Sequence, residues 1–504
     1  MDPWLTLPLL LVPFDLGAGW MAVLGIRARP DPLGWLGWSW AAGALATGAV
    51  LLAWALAQAP WSRAGVPAFL LALAAALHLV GRRRVSMPTR PAREASWRAR
   101  PRPTRVAFHA ALAVALFSLL DRILLASLHP ILGTDEGRIY AAPAKILFEL
   151  PGLAPHYGEV VRHSLAVTHP EYPLLNPLLQ VFGFTLSGHV VHFLSRLPIQ
   201  AFTVATLLVL ASGLRRRAHP LVGAVLLLLF AAVPGGGTFD LASLAYSDGM
   251  CALGLLIAVD AWMRFEEDGE RSWTWLAALG LALGAASKNE GLLFALVFVP
   301  VAGLRLLALR GRSRPGAVGA SVLALVAFLP AVVTALLDRR YGFRSDLLTG
   351  RNPLGKPIWD LLGGQMSERG WPTAERLFRE VVLDPPNTRL LFALFLLLLL
   401  LLRSRSLRGA LAVPTAVLAT LFVGLYLVFV ASPFDLDWHF RLAGARVYSQ
   451  LLAATTLWIG VAFELARGPA SDASPQPPAA APAAHGRGFA GEDAGAPDSR
   501  HQPG

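Results

Sequence analysis

The sequence predicts an all-α polytopic membrane protein, a helical bundle of about thirteen transmembrane helices. Three observations carry that prediction. Hydrophobic residues make up 55% of the chain and charged residues only 15%, with a mean hydropathy of +0.54. The apolar residues come in solid blocks, neither alternating nor amphipathic. Arginine clusters recur in those intervals that an in-and-out threading places on one side of the membrane, as the positive-inside rule requires.

The blocks follow in order. Trp4–Ile26, Leu33–Ala57 and Val66–Val80 form a first group, spanning 1–81, of three helices. At ~1.5 Å of rise per residue such blocks cross a hydrocarbon core. The start, Met1 to Leu16, has no basic region and no small-residue cleavage site, so it reads as a retained helix. The stretch 82–105 is rich in proline and arginine with one acid, Glu94. It is the strongest cytoplasmic marker and puts the N-terminus outside.

A transmembrane domain over 106–466 comes next. Its helix cores are Val106–Leu128, Val190–Leu214, Pro220–Val233, Gly249–Met263, Trp273–Ala286, Leu292–Leu309, Gly316–Leu337, Leu390–Leu402, Ala410–Val430 and Val447–Leu465. Threading from the basic loop places Arg215–Arg217, Arg310/Arg312/Arg314 and Arg403/Arg405/Arg408 inside as well. Two long outside segments result, 129–188 and 338–389. In the first, Tyr172–Leu186 is apolar but broken by Pro173 and Pro177, which suits an interfacial or re-entrant piece. In the second, Pro372 opens a helix whose Leu377, Phe378, Val381 and Val382 share a face near Trp371, a pattern suited to the membrane surface. The tail, 467–504, is Ala, Pro and Gly with few large apolar residues and reads as disordered and cytoplasmic.

Composition also excludes functions. The net charge of +12 lies on loop arginines, not on a basic stripe of a soluble domain, so no nucleic acid is expected as a partner. The single cysteine, Cys251, precludes a disulfide framework within the chain. There is no His/Cys cluster with zinc spacing, no Gly-rich phosphate loop and no Gly-x-Ser-x-Gly elbow.

Four constellations could carry chemistry. Asp135-Glu136 follows the Val106–Leu128 helix, where a partly desolvated carboxylate becomes a usable base. The plainer reading is that Thr134 and Asp135 cap the next helix. In Thr168-His-Pro-Glu-Tyr-Pro173, prolines restrict the backbone around His169 and Glu171, although a turn would explain them equally. Ser287-Lys-Asn-Glu-Gly291 puts Lys288 and Glu290 at membrane depth, where ionisable groups default to function. Lys145, Lys288 and Lys356 are the only lysines. The bland account is an ion pair closing a hairpin. Last, Asp435-Leu-Asp-Trp-His-Phe-Arg441 brings Asp437 and His439 to one interface just before Arg446. Arg446 and His439 could hold a phosphate, arginine by planar paired hydrogen bonds.

Other charges read as structural. Asp240 and Asp248 flank an outside turn as interfacial caps, and Asp260 and Glu464 lie near inner ends where snorkelling is cheap. His78 and His109 read as packing residues, and Asp15 has no evident reason.

In their order these pieces resemble the GT-C superfamily of polyprenyl-phosphate-sugar-dependent glycosyltransferases. The nearest likeness is the bacterial RgtA/B/C/D-like branch, kin to protein O-mannosyltransferases and aminoarabinose transferases. The likeness runs from Val106 to Leu465 and includes Phe182-Gly183 leading to Arg196-Leu-Pro198, besides the four constellations. It departs from the family in having Pro170-Glu171 where Pro-Pro is common, and in lacking a serine between Arg441 and Ala445. The three N-terminal helices lie outside it.

The resemblance implies transfer of a sugar from a polyprenyl-phosphate donor to a hydroxyl on a lipid, glycan or protein acceptor. It implies the extracytoplasmic face of the inner (plasma) membrane, in cell-envelope glycan, glycolipid or glycoprotein synthesis. Asp135 would orient or deprotonate the acceptor, with Glu136 beside it. His169, Glu171, Lys288, Glu290, Asp437, His439 and Arg446 would bind substrate, and a divalent cation is an allowed cofactor. Two other classes compete. A transporter or flippase of lipid-linked sugars would need a polar midplane pathway and often repeated halves, which this sequence lacks. A non-catalytic membrane assembly partner leaves the clustered acids unexplained.

Overall fold

The computed structural model describes residues 7–28, 31–83, 97–128, 131, 135–150, 153–164, 166–231, 246–308, 316–343, 356, 358–383, 390–401, 409–432 and 434–467. Most of the basic loop, Asp240, the clusters at 310–314 and 403–408, and the tail after Arg467 lie outside the described residues. Among the described residues there are helices and turns and no strand.

After a short turn at Leu7–Leu11, the helices are α1 (Val12–Val23), α2 (Pro32–Leu56), α3 (Gly65–Arg82), α4 (Arg102–Leu128), α5 (Ala142–Glu149), α6 (Tyr157–His163) and α7 (Leu175–Ser187). Then come α8 (His192–Arg217), α9 (Pro220–Ala231), α10 (Asp248–Asp268), α11 (Arg271–Ser287), α12 (Asn289–Ala308), α13 (Gly316–Tyr341) and α14 (Ile358–Arg376). The last are α15 (Leu390–Leu401), α16 (Ala412–Val430), the short α17 (Leu436–His439) and α18 (Ala445–Ala466). Among the described residues every apolar block has a helix at its centre. The protein is an all-α polytopic membrane protein.

Among the described residues eight helices are long and apolar enough to cross a membrane: α2, α3, α4, α8, α12, α13, α16 and α18. The difference from thirteen has physical causes. Helix α10 carries Asp248, Asp260, Arg264, Glu266, Glu267 and Asp268, which lower its hydropathy, and Asp248–Phe265 is buried throughout. It faces protein, not lipid, so its charges can be paired. Helices α1, α9 and α15 have 12 residues each, and α11 has 17.

Burial orders the bundle. The apolar windows of α8 and α18 are 78% buried, that of α13 only 11%. Helix α13 therefore lies at the rim, presenting Leu325, Leu329, Val332 and Leu336, as α4 presents Phe117, Leu124 and Leu128. Such apolar surface is at home against acyl chains. Helices α1 and α2 touch backbone to backbone: a Cβ on Gly17 would lie 1.7 Å from the Ser39 carbonyl oxygen. Only glycine allows that approach.

One expectation about the long loops is narrowed and one corrected. The segment read as interfacial or re-entrant is α7, whose 13 residues are all buried, packed against α8, α5 and α2, so it does not lie on the surface. Pro372 sits inside α14 instead of opening a helix. Of the residues on its expected common face, Leu377, Val381 and Val382 pack into the core, while Phe378 and Trp371 are exposed.

Asp260 and Glu464, expected to snorkel, are paired instead. Asp260 accepts from Arg217 Nη1 at 2.6 Å and from Arg264 Nε at 2.8 Å. Arg264 also reaches Asp31 and Ser212, each at 2.8 Å, and lies over the Trp38 ring at 4.6 Å. Arg216 and Arg217 add Glu267, and Arg216 also holds Asp268. Asp31 is the N-cap of α2, accepting from Gly34 N at 3.2 Å. The network thus clasps α2 to α8 and α10. Glu464 pairs with Arg100 at 3.0 Å. Asp15 gains its reason here, since His78 on α3 meets it at 3.1 Å.

Candidate functional site

The site is built at the α10 end that carries Asp248. Asp135 has helical dihedrals and opens a π-type turn, Glu136–Ala141, but its side chain makes no cap bond. Successive residues on a helical turn point in different directions. Glu136 therefore turns inward while Asp135 faces outward. Glu136 accepts two bonds from Arg196, at 2.6 and 2.7 Å, and both side chains are 1% exposed. Arg196 also donates to the Ala126 carbonyl, tying the turn to the end of α4.

Asp135 meets Arg446 instead. Arg446 Nη1 donates to Asp135 Oδ2 at 2.9 Å, with the carboxylate 48% exposed and the guanidinium 15%. Behind Arg446 lies Asp248, 1% exposed, with Oδ2 3.8 Å from Nε. The Tyr246 ring sits 4.8 Å from the guanidinium carbon. Asp248 Oδ1 accepts from Lys288 Nζ at 3.1 Å and from Gln450 Nε2 at 2.5 Å. Lys288 is shared with Glu290 at 2.9 Å. The hairpin holding Lys288 is fixed by close contact, because a Cβ on Gly291 would lie 2.0 Å from the Gly284 carbonyl oxygen.

The expectation that Asp248 is an interfacial cap is corrected by this arrangement. It is the first residue of α10, yet its carboxylate bridges a lysine and an amide and stands beside an arginine. Three buried atoms here have no hydrogen-bond partner: Asp248 Oδ2, Arg446 Nε and Gln450 Oε1. An unpaired polar atom is costly when buried, and three on adjoining side chains leave this group able to take a further hydrogen-bond partner.

The other candidates fall in two places. His169 adopts φ of 55°, unusual for a residue with a side chain, and its Nδ1 lies 3.1 Å from Glu171 Oε1. Tyr172 packs with Tyr140 and Tyr246, carrying that segment alongside the Arg446 group. Burial raises the phenol pKa of both Tyr140 and Tyr172, so these rings are neutral donors.

Asp437 and His439 are not part of the charged group. Asp437 is 59% exposed and pairs with Arg376. His439 is wedged against Phe429, with ring centres 4.9 Å apart. Burial, then the charges of Arg369 and Arg446, lower its pKa to about 4. It is a neutral imidazole, so the positive charge near Asp135 comes from Arg446 and Lys288. Among the described residues no three His, Cys, Asp or Glu side chains are placed to hold a metal ion.

Asp135, Lys288, Glu290 and Arg446 thus converge. Asp248, Gln450, Tyr246 and Arg196 complete the group without having been singled out as site residues. The acid at the head of an apolar block was visible for Asp248, whereas Gln450 lies within an apolar helix with nothing to mark it. No family model, curated protein or solved structure matches this chain.

Proposed function

We propose that the protein is a membrane glycosyltransferase. It moves a sugar from a polyprenyl-phosphate donor to an acceptor hydroxyl on the extracytoplasmic side of the plasma membrane. In this reading all thirteen apolar helices cross, the N-terminus is outside and the C-terminus is cytoplasmic. One observation carries the proposal: a half-exposed carboxylate, Asp135, stands directly on a pinned arginine backed by a buried Asp248–Lys288–Glu290 group.

The chemistry asks for that combination. An acceptor hydroxyl needs a base that solvent and substrate can reach, and Asp135 is the accessible acid. A phosphate leaving group needs fixed positive charge where its negative charge grows, and Arg446 and Lys288 supply it. Glu136, locked on Arg196, holds the turn that presents Asp135. His169 and Glu171 are placed to meet the donor sugar or the acceptor. The reading is tested by following a labelled sugar from a polyprenyl-phosphate donor to total lipid and glycan in reconstituted vesicles. Transfer by wild type and none by Asp135→Asn is the expected result. A wild-type chain that transfers nothing from any such donor ends the proposal.

A further inference from the structure

We propose that Asp135 and the donor's phosphate compete for Arg446, so that donor binding is what sets the carboxylate free. This rests on the transferase reading and deepens it to an order of events. Arg446 Nη1 donates to Asp135 Oδ2 at 2.9 Å, on the side of the guanidinium that a phosphate would approach. In that position Oδ2 accepts from a guanidinium and is not open to an acceptor hydroxyl.

Three acids face the two cations, and only one can leave. Asp248 is 1% exposed and accepts from both Lys288 and Gln450. Glu290 is 19% exposed and is tied to Lys288. Asp135, 48% exposed, has Arg446 as its partner at the open side. Arg446 itself cannot follow it outward, since Asp248 stands behind it and the Tyr246 ring lies against its guanidinium. An arriving phosphate brings several acceptor oxygens to the open side of this guanidinium, where Asp135 makes one contact through Nη1. It therefore replaces the single Asp135 contact.

The transfer step then balances. Asp135 takes the proton of the acceptor hydroxyl while that oxygen bonds the anomeric carbon. The bond from this carbon to the phosphate oxygen breaks, and its electron pair stays on the phosphate. The leaving polyprenyl monophosphate carries one negative charge more than the diester did, and Arg446 and Lys288 face it. Asp135, now protonated, no longer competes for Arg446. When its proton has passed to water, the carboxylate returns to Arg446 and helps displace the product. Donor binds first and acceptor second.

The test measures binding of a polyprenyl monophosphate to the full chain in nanodiscs, with thermal unfolding recorded for each variant. Asp135→Asn is expected to bind about tenfold more tightly or better, because a charge-assisted competitor has gone. Asp135→Ser should reproduce the gain, and the gain should vanish on an Arg446→Gln background. Equal or weaker binding by both Asp135 variants overturns the competition and leaves the transferase reading in place. A gain that survives Arg446→Gln overturns it too, since it then reflects only a lost negative charge. Binding to neither wild type nor variants removes both proposals.

Discussion

The two ends of α10 each bury an aspartate between cations, and they are finished differently. At the Asp260 end, Arg217, Arg264 and Asp260 are 3% exposed or less and bond one another directly. Arg264 has further partners in Asp31, Ser212 and the Trp38 ring. At the Asp248 end, Asp248 Oδ2 and Arg446 Nε are buried without hydrogen bonds, and the outermost acid reaches solvent. Buried atoms without a hydrogen bond occur at both ends, the Trp38 and Trp273 indole N–H groups beside Arg264 among them. Only at the Asp248 end do they belong to the ion-paired groups themselves, next to an acid that reaches solvent.

The comparison is sharpest where chemistry and stability can be separated. Asp135→Asn should lower transfer by ~10²–10⁴-fold, the usual cost of losing a general base. Its thermal stability should change little, because the pair it breaks is half in solvent. Wild-type turnover in that variant would make the Asp248 end as structural as the other.

Arg264→Met is the mirror experiment. It strands buried carboxylates and should cost ~3–5 kcal/mol in unfolding free energy, with transfer per folded molecule retained. Glu136→Gln belongs to this class because of its buried pairing with Arg196. Unfolding in detergent, scored beside activity, would reveal a wrong assignment as lost turnover with unchanged stability.

Arg446→Lys keeps the charge but replaces a fork by a point. Donor affinity should fall about ten- to a hundredfold, read by lipid-phosphate binding to the purified variant. Unchanged affinity would place Arg446 with the structural charges.

The smallest effect concerns His439. Its folded pKa is about 4 against an ordinary 6.5, so below pH 6.5 the unfolded chain takes up a proton that the folded chain refuses. This contribution to stability is complete above pH 6.5 and is lost progressively as pH falls towards 4. His439→Gln should flatten that part of the stability profile. A profile unaltered between pH 4 and 6.5 would mean that His439 is not held neutral.

Most of the helical layout was legible because lipid contact demands solid apolar runs. Leu33–Ala57 became Pro32–Leu56, and Ala410–Val430 became Ala412–Val430. The reading failed where helices touch protein on all sides. Helix α10 could carry charges, and α7 could be buried despite its prolines, for reasons that lie in neighbours far along the chain. The site divides in the same way. Asp135, Lys288 and Arg446 stood out as ionisable residues beside apolar blocks. Their pairing did not, since Asp135 and Arg446 are 311 positions apart, Asp248 and Gln450 202. Local pattern marks that a charge is present and says nothing of what will neutralise it.

The clasp between Asp31 and Arg264 has a consequence for how the chain is made. The two residues are 233 positions apart. At ~5–20 residues per second, Asp31 leaves the ribosome roughly 12–47 s before its guanidinium partner exists. Ser212, which donates to Asp31, also precedes Arg264, so early helices wait at the membrane with a carboxylate at the head of α2 that has hydrogen bonds and no cation. A nascent chain stalled short of Arg264 should expose that end to membrane proteases, and one stalled beyond it, with α10 inserted, should be protected. Completion of a single arginine would then mark the moment at which the N-terminal helices are locked into the bundle.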